Sequence, residues 1–427
     1  MTEYNDPRIF IEETSAFSRF LKYVTIETTS NPLNSASPSS DGQRRLGEML
    51  IDELKSLGLT DASQDSNGYV IATRQGTGST TVGLVAHLDT SDAFTARDVS
   101  PVVHEDYSGQ PIQLKNEITI SPEDDPKLKQ CKGHTLITAD GTTLLGADDK
   151  AGIAIIMGVL EYLHRHPEID HPTLRICFTP DEEIGRGADH FPVADFGADF
   201  AVTVDGTFLG ELNFETFEAY SMEVAFEGVS VHPGYAKGKL VNALRFMGEF
   251  LQSLPKSDSP ETTDERQGFI HPVTIGGDAT KCQVHLIIRD FTEEGAQKHC
   301  ETVTRLAEDI QAREPRLKMT LKTQFNYPNM MKFMETNEDL VTNLKLAVHK
   351  AGISPSVVPI RGGTDGANLS KKGLLTPNLF TGAVNLHGPK EWVSLTNMGY
   401  SFCTLMNLLS IYQNARPESA VSGSLND

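Results

Sequence analysis

The sequence predicts an α/β protein of two domains, one of them discontinuous. Three observations lead there. A chain of 427 residues is long for a single hydrophobic core. Its first and last thirds alternate short apolar runs with helical periodicity, the order of an α/β layer architecture built on a mixed, mainly parallel sheet. Its middle changes to a β-α-β-β-α-β-like order, sufficient for a small inserted ferredoxin-like α+β domain. The boundaries read as 1–214 with 326–427 for the discontinuous domain and 215–325 for the insert.

Taken in order, Asp41 caps a helix whose apolar positions Leu46, Met49, Leu50, Leu54 and Leu57 fall at helical spacing, and Gly58 stops it. Residues 82–86 form a nearly all-apolar run of the kind buried in a mixed or parallel sheet, and deliver His87 at their end. From 91 to about 133 the chain is polar and holds Pro101, Pro111, Pro122 and Pro126, an irregular excursion. A buried helix over 153–163 and core strands over 174–178 and 200–204 follow. The insert shows strands near 221–227, 283–288 and 318–322 and helices near 240–254 and 293–312. The last third offers a helix over 339–350, a glycine-rich turn at 361–366, a strand over 377–380 and a closing helix through 405–412. The tail from 415 reads as frayed.

Composition excludes several classes. With 37 basic against 58 acidic residues the formal charge is −21, which argues against nonspecific nucleic-acid binding. Five scattered cysteines (131, 177, 282, 300 and 403) make neither a disulfide framework nor a structural zinc knuckle and read as reduced thiols. No stretch has the apolar length of a membrane span, and Met1–Asp6 lacks the pattern of a signal peptide. A cytoplasmic location is expected.

Candidate chemistry gathers where apolar runs end. His87 and Asp89 project to one side if their strand continues that far, and a carboxylate there orients an imidazole. Thr179-Pro-Asp-Glu-Glu-Ile-Gly185 packs three acids behind a core strand, which is costly unless cations or donors compensate. Asp148 and Asp149 open a helix, Asp205 follows Val-Thr-Val, and His387 follows an apolar strand. Each has a bland alternative: a core-edge histidine, a solvated acidic loop, a helix cap. Together His87, Asp149, Glu183, Asp205 and His387 form an imidazole and carboxylate set without thiolate, suited to zinc or a similar ion in a two-metal hydrolytic site. Rival motifs fail. There is no H-E-x-x-H, no phosphate loop, no completed dinucleotide fingerprint, and Gly228-Val-Ser-Val-His232 lacks the last glycine of a nucleophile elbow. His164, His166 and His171 read as solvent-facing.

These residues resemble the dinuclear-zinc exopeptidase/aminoacylase family. The similarity runs over nearly the whole chain. It is most specific at Thr135-Leu-Ile-Thr138, Leu144-Leu-Gly-Ala-Asp-Asp-Lys-Ala-Gly152, the 179–185 stretch, Val231-His-Pro-Gly234, Ile288-Arg-Asp-Phe291, Arg361-Gly-Gly-Thr-Asp-Gly366 and Leu386-His-Gly-Pro-Lys-Glu-Trp392. The resemblance implies a zinc aminopeptidase that releases the N-terminal residue of tripeptides. His87 and Asp205 would hold one zinc, Glu183 and His387 the other, and Asp149 would bridge both. Asp89 would orient His87, and Glu182 would be the general base. His232, in an insert serving as lid and dimerisation domain, would stabilise the oxyanion in a homodimer. Arg289 and Arg361 would receive the peptide carboxylate, with Asn242 as a backbone contact. The resemblance also implies a cis Asp149–Lys150 peptide. A related dipeptidase or N-acyl-amino-acid deacylase, and a non-catalytic peptide-binding protein, remain the competing readings.

Overall fold

The structure, a computed structural model, describes residues 3–414; the tail expected to fray lies outside them. The chain forms two compact units. One takes the chain up to Phe214, Phe333–Val358 and Thr364 onward; the other comprises Glu215–Lys332 and Pro359–Gly363.

The first unit is built on an eight-stranded mixed sheet. Its order is Ser63–Gln64, Val70–Arg74, Thr173–Thr179, Thr81–His87, Phe200–Gly206, Asn378–Phe380, Glu211–Asn213 and Ser356–Val357. The central strands Thr173–Thr179, Thr81–His87, Phe200–Gly206 and Asn378–Phe380 run parallel. Val70–Arg74 and Glu211–Asn213 join them antiparallel. The central runs are apolar because helices cover both faces of such a sheet. Parallel strands also end together, so the residues after them share one edge, the usual place for a site in an open α/β sheet.

The helix Ala147–Arg165 is buried along almost its entire length, as expected of a helix apolar all round. It contacts both Thr81–His87 and Phe200–Gly206. Gly152 permits that approach, since a Cβ there would lie 1.9 Å from the Val204 carbonyl oxygen. The helix Asp41–Ser56 starts with Ser40 in the cap position rather than Asp41, and Gly58 beyond it has a φ of 90°. The polar excursion is less irregular than expected. It holds strands Val102–His104, Ile112–Gln113 and Thr119–Ile120 and helix Pro126–Lys129. Val102–His104 lies at the edge of a small antiparallel sheet with Leu136–Thr138, Trp392–Ser394 and Ala383–Val384. His171 is buried rather than solvent-facing, paired with Arg74 Nε at 3.2 Å.

The second unit is a β-α-β-β-α-β sandwich: Glu218–Glu227, helix Ala243–Ser253, Phe269–Gly277, Lys281–Asp290, helix Glu293–Arg313 and Lys318–Tyr327. All its strand pairs are antiparallel, with Lys281–Asp290 and Glu218–Glu227 in the middle. Phe226, Phe250, Leu286, Val303 and Ile310 are among the residues of its core. Phe269–Gly277 has no counterpart among the expected strands, because Pro272 and two terminal glycines obscure it; proline is tolerated there on an edge strand beside a register shift. The chain leaves this unit later than the expected 326. The last strand runs to Tyr327, and Asn329 is tied back by its N–H to Glu218 Oε2 at 2.9 Å and its amide nitrogen to the Phe291 carbonyl at 2.8 Å. Residues 359–363 return to it through bonds such as Ile360 N–H to the Glu215 carbonyl, 2.9 Å.

Candidate metal-binding active site

Strand register brings the first two side chains together. Val85 pairs with Thr203, so two residues further along each parallel strand His87 and Asp205 come level. His87 Nε2 lies 3.4 Å from Asp205 Oδ1. The same His87 nitrogen is 2.9 Å from Asp148 Oδ1, and the other Asp148 oxygen is 3.1 Å from His387 Nε2. His387 Nε2 is in turn 3.0 Å from Glu183 Oε2. The arrangement is therefore a chain, Asp205, His87, Asp148, His387, Glu183, with Asp148 at its centre.

This corrects the expected order of the acidic pair. Asp149 is fully buried, and its two oxygens accept from backbone N–H groups, His87 at 3.1 Å and Gly152 at 3.1 Å. It lies close enough to His87 and Asp205 to complete one group suited to a metal ion, while Asp148 completes a second with His87 and Glu183. Of the two aspartates, Asp148 is the one that bonds both histidines. The cis non-proline peptide likewise joins Asp148 to Asp149, one residue before the expected bond.

Asp89 faces His87 as expected and holds a second element as well. His87 Nδ1 is 3.0 Å from the Asp89 backbone carbonyl and 3.5 Å from its carboxylate. The carboxylate also accepts from the N–H groups of Glu182 (3.0 Å) and Glu183 (3.1 Å), fixing the acidic loop. Asp181, the third acid of that loop, is fully buried and turns away, accepting from Ser39 N–H at 2.8 Å and Gln43 Nε2 at 2.7 Å. Glu182 faces Asp365, whose N–H donates to Glu182 Oε1 at 3.3 Å, and Asp365 Oδ2 accepts from Thr179 Oγ1 at 2.8 Å.

The loop carrying His387 has two non-glycine residues in the left-handed region, Asn385 (φ 55°) and His387 (φ 63°), a conformation that costs about 1–3 kcal/mol each and persists only where the surroundings impose it. Asp125 imposes it from one side: its Oδ2 accepts from Asn385 Nδ2 at 3.0 Å and from Trp392 Nε1 at 2.8 Å. The excursion that looked irregular thus supplies an anchor for a site residue. Asp125, Asp148 and Asp365 are the participants missing from the expected set. Asp148 and Asp365 stand inside the quoted motifs, whereas Asp125 has no local signal.

The remaining candidates belong to the second unit. His232 is exposed, and its Nδ1 accepts from Gly234 N–H at 3.1 Å. Asn242 caps helix Ala243–Ser253, accepting from Leu244 N–H at 3.0 Å. Arg361 directs both terminal nitrogens at protein groups, the Glu265 and Gln267 carbonyls (2.7 and 2.8 Å) and Thr263 Oγ1 (3.2 Å). Arg289 bonds the Tyr220 and Ile288 carbonyls (3.0 and 2.9 Å) through one nitrogen only.

The sequence model of Peptidase family M20/M25/M40 matches residues 134–410. The chain belongs to this peptidase family. Among its relatives, Peptidase T of Shouchella clausii is 45% identical over 396 residues, covering 92% of this chain and 97% of that protein. A tripeptidase from Staphylococcus aureus has the same fold, with a TM-score of 0.74 at 20% identity over 94% of this chain and 98% of that one. So does a Bacillus subtilis M20 peptidase described as dinuclear metal binding, with a TM-score of 0.62 at 14% identity over 95% of this chain and 99% of the other. As an M20-family member the protein is a hydrolase of peptide bonds.

The M20 site fits divalent cations on its own chemistry. Its donors are imidazole nitrogens and carboxylate oxygens, and Glu183 Oε1 is buried without a hydrogen-bond partner among the described residues. Burial raises the carboxyls of Asp205 to about 6 and of Glu183 and Asp365 to about 7, and raises Glu182 well above the usual carboxylate range. Burial would raise Asp148 as well, but hydrogen bonds from His387 and His87 hold it low. Crowded buried acids of this kind call for positive charge.

In the metal-free protein Asp205, Glu183 and Asp365 keep protons that the unfolded chain, with carboxyls near 4, releases. Between about pH 4 and pH 7 the folded state therefore binds more protons, and stability falls as pH rises. His387, raised to about 11 by bonds to Asp148 and Glu183, extends the fall in the same direction. The melting temperature of chelator-treated protein should drop across this window, while zinc-loaded protein changes less; a metal-free melting temperature that rises with pH contradicts it.

Proposed function

We propose that this protein is a two-zinc aminopeptidase that removes the N-terminal residue of tripeptides. The observation that carries the reading is Asp148, whose carboxylate lies between His87 and His387, with Asp205 beyond one and Glu183 beyond the other. His87, Asp205 and Asp148 would hold one ion, and Asp148, Glu183 and His387 the second. When bound, a pair of zinc ions polarises the scissile carbonyl and acidifies water. Kinship with Peptidase T, and likeness in fold to a tripeptidase and a dinuclear M20 peptidase, support the substrate class and the metal count.

Glu182 is the base. Its side chain is held at the edge of the cluster by the Asp365 N–H, and its raised pKa suits a group that takes a proton from water and returns it to the departing amine. His232 donates to the developing oxyanion. Arg289, with guanidinium donors beyond the one nitrogen bonded to carbonyls, receives the peptide carboxylate bidentately; Arg361 and Asn242 hold their own unit's backbone instead. The enzyme acts as a homodimer in the cytoplasm. Among the described residues, no helix is long and apolar enough to cross a membrane.

His232→Ala should lower kcat by about 10²–10³-fold, the usual loss of one oxyanion donor, with zinc content unchanged; normal turnover removes the role. Arg289→Ala should raise KM for tripeptides; an unchanged KM excludes it from the pocket. Assay of Met-Gly-Gly beside a dipeptide, a tetrapeptide and an N-acetylated amino acid tests the reading as a whole. Preference for the tripeptide supports it, and equal activity on the blocked substrate points to a deacylase.

A further inference from the structure

Glu391 is buried at 1% exposure, four residues beyond His387 on the same loop, and takes no part in the chemistry described above. Its carboxylate is fully engaged with backbone. Oε2 accepts from Leu145 N–H at 2.7 Å and Gly146 N–H at 2.8 Å, and Oε1 accepts from Asp148 N–H at 3.1 Å. Leu145 and Gly146 belong to the turn preceding the buried helix, where Gly146 adopts φ 78°, and Asp148 to its first turn, whose N–H groups have no partner within the helix. One side chain therefore ties the loop presenting His387 to the backbone of the residue lying between the two histidines.

We propose that Glu391 is a positioning residue that sets Asp148 and His387 as one unit, so that the second metal position exists only while this clamp is made. The proposal rests on the two-zinc reading. Asp148 and His387 are 239 residues apart in sequence, and their rings and oxygens meet at 3.1 Å only if the turn and the loop are held in register. Asp125 fixes the loop to the small sheet but does not touch the 145–148 turn; Glu391 makes the cross-connection. Outer partners that orient metal ligands in this way typically govern metal affinity by 10–100-fold.

The test titrates zinc alone into metal-free wild type, Glu391→Gln and Glu391→Ala in competition with a chromophoric chelator, with melting curves of each metal-free form. In Glu391→Ala the affinity for the more weakly held ion should fall about 10–100-fold, and the tighter ion should change less. Glu391→Gln should fall between, since its amide oxygen still accepts from two N–H groups while its NH₂ faces the Asp148 N–H. Activity at limiting zinc should drop in both and recover at saturating zinc. Where Glu391→Ala fails to fold, Glu391→Gln decides. Wild-type zinc affinity in a folded variant, even one with a lowered melting temperature, overturns the proposal, as does an activity loss that excess zinc does not repair. A wild-type chain that takes up no zinc overturns the two-zinc reading together with this one, which keeps the two failures distinct.

Discussion

Replacing Glu182 by glutamine lowers kcat on a tripeptide by about 10²–10⁴-fold, the range assigned to a positioned general base, while zinc content stays at the wild-type value. The separation of the two readouts follows from the structure. Glu182 Oε1 faces the Asp365 N–H, and its own N–H is fixed by Asp89. It stands outside the chain of contacts that runs from Asp205 to Glu183. Glutamine keeps the shape and an acceptor for Asp365, and loses the capacity to take a proton. A variant with wild-type kcat contradicts the assignment, and one that loses zinc along with activity moves Glu182 among the ligands.

The second large effect distinguishes the adjacent aspartates. Asp148→Ala removes the carboxylate that reaches both histidines, so zinc affinity should fall by more than the roughly 10–100-fold that an outer partner costs, and activity at ordinary zinc levels should vanish. Asp149→Asn leaves that carboxylate in place. Its oxygens accept from the His87 and Gly152 N–H groups, so the variant should lose melting temperature and keep most of its zinc affinity. The reverse ranking in a zinc titration restores Asp149 as the shared ligand.

The two aspartates also show where the sequence stops being legible. Apolar runs ending in His87, Thr179 and Asp205 read directly as buried parallel strands, because both faces of such a sheet must be apolar; their common edge then followed from topology. The acidic loop and His387 were legible as chemistry because their residue types are costly to bury without compensation. Which of two neighbouring carboxylates points into the cluster depends on backbone torsions at a turn, here Asp148 with ψ 103° and Asp149 with φ −120° at the head of a helix, and no residue pattern encodes that choice. Asp89 shows the same limit. Its position beside His87 was legible, but that its carboxylate would grip the Glu182 and Glu183 amides depends on a loop 93 residues away. Phe269–Gly277 was obscured by a proline that only an edge position tolerates, and Asp125 by its place in a polar excursion whose partners, Asn385 and Trp392, are remote in sequence.

The most direct measurement of the central claim follows hydrolysis of Met-Gly-Gly while zinc is added stepwise to metal-free protein. The two-zinc reading predicts release of free methionine and Gly-Gly, with activity reaching its plateau at two equivalents per chain. Full activity without added metal, a plateau at one equivalent, or no cleavage at any zinc concentration would contradict it.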